Sequence, residues 1–335
     1  MSHPDLAVQR PPGRPPQLVV DADGDPVGWL GRHRDALRGA VLAHGAVLLR
    51  GLGLRDDVDA GAALRALAPG GLLPEREAFA PRQPYPGGAY SSTKWPAQQR
   101  MCLHHELSYG LQFPGTMMFA CLVAPTAGGE TAIADAAAVL EALPPELVAR
   151  CDREGWRLDR SYGDEIGAAW SEAFGTDDPR AVEHYCRSHG IEFAWRDDGG
   201  LRTRQRRPAI ARHPVTGVRC WFNQIAFLNA HTLDDEVRAF LLEVFGEEGL
   251  PFTTRFGDGE EVGADVVALV NEVYERHTLR EPWEAGDLLL VDNVRTAHGR
   301  EPYVGTRAVL VGMADPLHVA QLAPTAAPTA TAAAS

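Results

Sequence analysis

The chain of 335 residues has no cysteine pairs to speak of. Its five cysteines, Cys102, Cys121, Cys151, Cys186 and Cys220, are scattered, odd in number and form no C-x-x-C. That spacing excludes a disulfide framework and a structural zinc site, and it leads us to expect a reducing, cytoplasmic setting. Long apolar runs are also missing. Nothing approaches the ~20 residues of a membrane span, and the opening MSHPDLAVQRPPGRPP has no apolar centre of the kind a signal peptide needs. Positive charge is short as well, with 32 Lys and Arg against 45 Asp and Glu, a net charge of −13. This balance argues against a nucleic-acid footprint or a basic membrane patch. It leaves room for a small anionic ligand, because one or two local arginines can hold a carboxylate whatever the net charge.

What is present reads as one domain. Residues 1–16 carry five prolines and little that can pack, so they are expected to form a mobile lead-in. Residues 320–335, rich in Ala, Thr and Pro, are expected to be a disordered tail, leaving a single domain over 17–319. Within it, LVVDA and AVLLRGL (46–52) read as strands around a helix from about Trp29 to His44, with Leu30, Leu37 and Val41 on one face and Gly45 at its end. TMMFACLV (116–123), DLLLVDN (287–293) and AVLVGMA (308–314) read as buried strands. Asp135 caps a helix AAAVLEAL, PELVARC begins another, and further helices start near Asp234 and span about Ala264 to His277. Residues 152–215 look polar and irregular. Strands far apart in sequence with helices inserted between them suit an α+β fold, a sandwich or jelly roll (double-stranded β-helix) flanked by helices.

The informative segment is MCLHHELSYG. On a regular strand His104 and Glu106 project to one side and His105 to the other. An imidazole and a carboxylate so placed, joined by a distant histidine, make the two-His-one-carboxylate site of non-haem Fe(II) oxygenases. H-x-E alone is better explained by a solvated surface strand. The downstream context shifts the reading: GDLLLVDNVRTAHGREPYVGTRAVLVGM places His298 just beyond an apolar strand and Arg307 nine residues later at the start of the next. A guanidinium there can take the far carboxylate of a keto-diacid in a two-point contact.

With AVLLRGL, SSTKWPAQQRMCLHHELSY, FPGTMMFACLVAPTAGGETAIAD, HPVTGVRCWFNQ and GDLLLVDNVRTAHGREPYVGTR in view, the chain over 30–315 resembles the taurine dioxygenase-like (TauD/TfdA) Fe(II)/2-oxoglutarate oxygenases. It resembles most the clavaminate synthase-like branch, which acts on amino acids, free or carrier-tethered, in natural-product pathways. The resemblance implies Fe(II) on His104, Glu106 and His298, 2-oxoglutarate and O2 as co-substrates, and a far-carboxylate clamp made by Thr131 and Arg307. It further implies hydroxylation of an unactivated C–H, with desaturation or cyclisation open from the same site. Val311 stands where taurine dioxygenase has a substrate-binding arginine, so taurine does not fit. Glu106 fills the position that related halogenases leave to chloride.

Other residues stay open at this point. Tyr109, Trp221, Phe222 and Asn223 are expected either to line the pocket or to serve as core aromatics and a turn. Arg295 and Arg300 are either substrate-carboxylate contacts or solvated loop residues. His105 is the rival ligand should the strand bulge. Asp292 and Asn293 are read as shaping a strand end. The basic stretch RTRQRRP (202–208) is either a surface for a carrier protein or anionic substrate, or a solvated loop. Two readings of other classes compete: a zinc hydrolase on the same three residues, and a non-catalytic 2-oxoglutarate-binding domain.

Overall fold

The computed structural model describes residues 6–75, 77, 79, 82–163 and 167–322. Helix and sheet are mixed, and alternation along the long strands explains how they are layered. A six-stranded sheet runs in the order Gln17–Val19, Ala46–Arg50, Leu288–Asp292, Gln112–Val123, Ala308–His318, Tyr90–Ser91. Along Gln112–Val123, Met117, Phe119 and Cys121 turn to one side and join Leu289, Val291, Val309 and Val311 in the main core. Met118 and Ala120 turn to the other side, where Leu288, Leu290 and Leu310 meet Leu30, Leu37 and Leu64 of two covering helices, Pro26–His44 and Asp57–Leu67. A sheet buried on both faces reads as continuous apolar sequence, as these strands do.

A second sheet of four strands runs Thr278–Leu279, Thr131–Asp135, Thr296–Arg300, Met101–His104. Ile133 and Ala297 from this sheet pack in the same core as Met117 and Phe119 of the first. The two strands that matter for chemistry, Thr296–Arg300 and Met101–His104, are antiparallel neighbours. Gly45 helps to set the first of them. Its φ of 81° follows the helix Pro26–His44, and a Cβ there would lie 2.5 Å from Thr296 Oγ1. A side chain at 45 is therefore barred both by conformation and by space.

Three expectations change. Residues 152–215 are not irregular: Trp156–Tyr162, Ile191–Trp195 and Leu201–Arg207 form an antiparallel third sheet with Phe252–Phe256. The basic stretch is a central strand of it. Thr203, Gln205 and Arg207 are buried while Arg204 and Arg206 face out, a period of two hidden by polar residue types on both faces. Its arginines have internal partners: Arg207 donates to the Tyr109 and His189 carbonyls, and Arg202 pairs with Glu248. Neither the solvated loop nor a free basic surface describes it. Thirdly, His298 does not merely follow a strand but lies within one of its own, whose five residues are all buried.

The first helix starts at Pro26, ahead of Trp29, because Asp25 accepts from Gly28 N–H and proline suits the first helical turn. The lead-in packs from Leu6 onward: Leu6 touches the helix-covered core, Gln9 bridges to Gln17, and Arg14 pairs with Glu281. At the other end Leu322 is buried, and the rest of the Ala/Thr/Pro tail lies outside the described residues. No described helix is long and apolar enough to cross a membrane.

Candidate active site

His104, Glu106 and His298 converge. His104 and His298 face each other across the strand pair, with ring centroids 4.6 Å apart. One ligand atom from each of the three residues falls within 4.8 Å of the others, and all three side chains are buried. His298 Nε2 is 3.7 Å from Glu106 Oε2. His104 Nδ1–H donates to the Cys102 carbonyl at 2.8 Å, which fixes the tautomer and leaves Nε2 with its lone pair for the site. Phe227 stacks on His104 at 4.4 Å and Phe119 lies 5.0 Å from His298, so both imidazoles are held by rings.

The route by which Glu106 arrives differs from the alternation argument. The strand ends at His104, and Glu106 sits in the turn that follows, where Leu107 adopts φ 54°. Asn293 fixes that turn. Its Oδ1 accepts from Glu106 N–H at 2.8 Å, and its Nδ2 donates to the Glu106 and Pro114 carbonyls. His105 points into the core, wholly buried, with Nδ1–H on the Asn293 carbonyl and Phe222 beside its ring.

Burial pushes the His104 imidazole down to about 3, with His298 acting in the same direction and Glu106 opposing. Glu106 is held below the usual carboxylate range: burial works to raise it, but the Arg82 guanidinium, followed by the contact with His298, outweighs that. A neutral imidazole and an ionised carboxylate are the forms that bind a metal. Two nitrogens and one carboxylate, converging on one point in a buried, ring-walled site, fit a divalent iron with open positions left over.

Thr131 and Arg307 are brought together beside this site. Arg307 Nη2 donates to Thr131 Oγ1 at 3.3 Å and Nε donates to the Gly129 carbonyl at 2.9 Å. Thr131 is two residues along its strand from Ile133, the residue paired with His298. At ~3.3 Å per residue, the Thr131 backbone lies roughly 7 Å along the sheet from the level of the histidine. Burial and then the nearby Arg300 push Arg307 down to about 10. No carboxylate of the described residues forms an ion pair with it.

The remaining candidates scatter. Tyr109 lines a small cavity against His104 and Glu106, with its hydroxyl on the Glu77 carbonyl. Trp221 is fully buried in the main core, and Phe222 packs between His105 and Phe113. Asn223 spends its amide on the Ala209 carbonyl and Ile225 N–H. Arg295 pairs with Asp135 and donates to the Leu42 and Ala43 carbonyls at the end of the first helix. Arg300 donates to the carbonyls of Trp95, Pro96 and Gln99. These five have structural partners and do not face the cavity. Two residues that do face it, Arg82 and Phe227, carried no signal in the sequence. Arg82 lies in the proline-broken stretch PRQPYP, which has no periodicity, and Phe227 reads as one more core aromatic.

Comparison with known proteins agrees with this geometry. The family described as taurine catabolism dioxygenase TauD, TfdA family, matches residues 13–314. Over 274 residues the chain is 35% identical to the dapdiamide synthesis protein DdaC of Enterobacter agglomerans, covering 82% of this chain and 83% of that one. It is 29% identical to a clavaminate synthase-like protein of Arabidopsis thaliana, with 80% and 81% covered. Among solved structures, AAD-2 in complex with Mn(II) and N-oxalylglycine superposes with a TM-score of 0.51 at 13% identity, over 92% of this chain and 96% of the other. PvcB of Pseudomonas aeruginosa gives 0.50 at 14% identity, over 90% and 86%. At these identities the two structures speak to the fold alone. The family match spans nearly the whole chain, so the protein belongs to the TauD/TfdA family and is an iron- and 2-oxoglutarate-dependent dioxygenase.

Proposed function

We propose that the chain hydroxylates an unactivated C–H of an amino acid or amino-acid-derived small molecule in a biosynthetic pathway. In this reading His104, Glu106 and His298 hold the iron, and Thr131 and Arg307 take the far carboxylate of 2-oxoglutarate. The core is then the jelly roll formed by the six- and four-stranded sheets. The single observation that carries it is the buried His–Glu–His group with Thr131 roughly 7 Å along the strand beside His298 and the desolvated Arg307 on the Thr131 hydroxyl. That separation suits a five-carbon diacid gripped at both ends. A zinc hydrolase has no use for the second grip.

Bound iron supplies activation of dioxygen, with 2-oxoglutarate giving up two electrons and becoming succinate and carbon dioxide. This chain's residues do the rest. His104 and His298 present neutral nitrogens, and Glu106 presents an ionised oxygen. Phe227, Trp95, Phe79 and Tyr109 wall the adjoining cavity with rings, which keeps water from the reacting carbon. The relative named for dapdiamide synthesis supports a biosynthetic role. Whether the substrate is free or carried on a protein is decided by the same assay: succinate release against amino acids, N-acyl amino acids and their carrier thioesters. Under labelled dioxygen the product is expected to gain one labelled oxygen. Loss of two hydrogens instead makes the enzyme a desaturase or cyclase, and full turnover with zinc and no dioxygen makes it a hydrolase.

A further inference from the structure

Arg82 is a buried cation at a junction. Its side chain is 7% exposed, with Nη2 lying 3.2 and 3.1 Å from the two oxygens of Glu106. Its Nε is 3.2 Å from Glu75 Oε1 but is not aimed to hydrogen-bond it, so a buried donor is left unsatisfied. Two cavities meet at this pair. The inner one, about 70 Å³, adjoins His104 and Glu106. The outer cleft, about 760 Å³, is lined by Tyr90, Glu172, Phe174 and Tyr185. Glu75 and Arg82 line both, and thus form the wall between them.

We propose that Arg82 is the receptor for a carboxylate of the substrate, which enters through the outer cleft and puts its aliphatic part into the inner cavity beside the metal residues. The inference rests on the assignment of Glu106 as an iron ligand. A metal on Glu106 draws on the carboxylate charge that now faces Arg82, so the pairing between Glu106 and the guanidinium weakens. The metal also brings two positive charges beside a guanidinium that is already desolvated. Glu75, itself held back from ionising by burial, cannot make up the difference, and a buried charge that loses part of its pairing is unfavourable. A substrate carboxylate on the guanidinium restores the pairing and suits its planar geometry. Loading the metal therefore creates the anion site.

The inner cavity is too small for more than a short aliphatic segment, so the bulk of a larger acid stays in the cleft. A carrier thioester of a monocarboxylic amino acid has no free carboxylate to offer Arg82. The substrate is accordingly a free acid, an amino acid or its N-acyl derivative.

The test needs no turnover. Wild type, Arg82→Gln and Arg82→Lys are loaded with Mn(II) and 2-oxoglutarate without oxygen. They are then titrated calorimetrically with L-amino acids, N-acetyl-L-amino acids and the matched carboxamides. At least one acid is expected to bind wild type tenfold or more tightly than its carboxamide. Arg82→Gln is expected to lose that preference and Arg82→Lys to keep part of it. Mn(II) affinity in Arg82→Gln should stay level or rise, because a competitor for Glu106 is gone; a tenfold fall would mark Arg82 as only a support for Glu106. No binding by any acid, equal binding of acid and carboxamide, or a preference that survives in Arg82→Gln each overturns the proposal. Failure of the underlying assignment looks different: wild type would take up neither Mn(II) nor 2-oxoglutarate, and both readings would fall together.

Discussion

Asn293 holds Glu106 by both edges of its peptide group, accepting from its N–H at 2.8 Å and donating to its carbonyl at 2.9 Å. The two residues are 187 positions apart, and the contact turns a flexible post-strand turn into a fixed mount for a carboxylate. Asn293→Ala leaves these buried groups and the Pro114 carbonyl unpaired. We expect a loss of about 2–3 kcal/mol in stability and of about 10–100-fold in metal affinity. Urea unfolding and Mn(II) titration measure the two separately. Unchanged metal affinity in a destabilised protein would make Asn293 a purely structural residue.

His104→Ala, Glu106→Ala and His298→Ala should each abolish tight Fe(II) binding, because two of three ligands make a poor site. His105→Ala should retain the metal but lose stability by about 2–4 kcal/mol, since it opens a void in the core and removes the bond to the Asn293 carbonyl. Metal content after dialysis, read beside thermal unfolding, separates the outcomes. Loss of iron from His105→Ala with retention in His104→Ala would reverse the assignment.

Arg307→Gln should raise the 2-oxoglutarate requirement by a factor on the order of 100 or more, as removing one member of a buried charge pair costs about 3–5 kcal/mol. Thr131→Val removes one neutral donor and should cost about tenfold. Neither change should affect iron binding. A titration of succinate release with iron saturating tests both. An unaltered requirement in Arg307→Gln would place the far-carboxylate contact elsewhere.

The metal-free protein should lose stability as pH falls from about 6 to about 5. Burial pushes His104 down to about 3 and His105 to about 4, so both are neutral when folded and protonate on unfolding below their ordinary value. Glu75 opposes this: burial pushes it up to about 7, against the pull of Arg82 and with Glu106 adding to the rise, so it gives up a proton on unfolding. Two protons taken up and one released leave a net uptake near one, a slope of about 1.4 kcal/mol per pH unit, with stability higher at higher pH. Glu75→Gln should roughly double the slope. Urea unfolding across this range checks it; a flat or reversed dependence would mean that the imidazoles are already charged in the folded protein.

Local pattern was enough for the main strands of the six-stranded sheet and for naming the metal-site candidates. Apolar runs such as TMMFACLV and DLLLVDN could only be buried strands, and H-x-E places two ligand types within one short segment whatever the rest of the chain does. The third sheet was hidden because its central strand alternates between two kinds of polar residue. Its inward Gln205 and Arg207 donate hydrogen bonds, to Glu77 and the Tyr109 carbonyl, where an apolar strand would offer contacts. Sequence therefore determined which side chains are able to ligate a metal, since that follows from side-chain chemistry. Tertiary structure decided the rest: that Glu106 comes from a turn clamped by Asn293, that Arg295 and Arg300 are tied up by carbonyls, and that Arg82 lies against the carboxylate. Each of those depends on which distant group satisfies a buried charge or amide, and such partners are assigned by packing, not by local order along the chain.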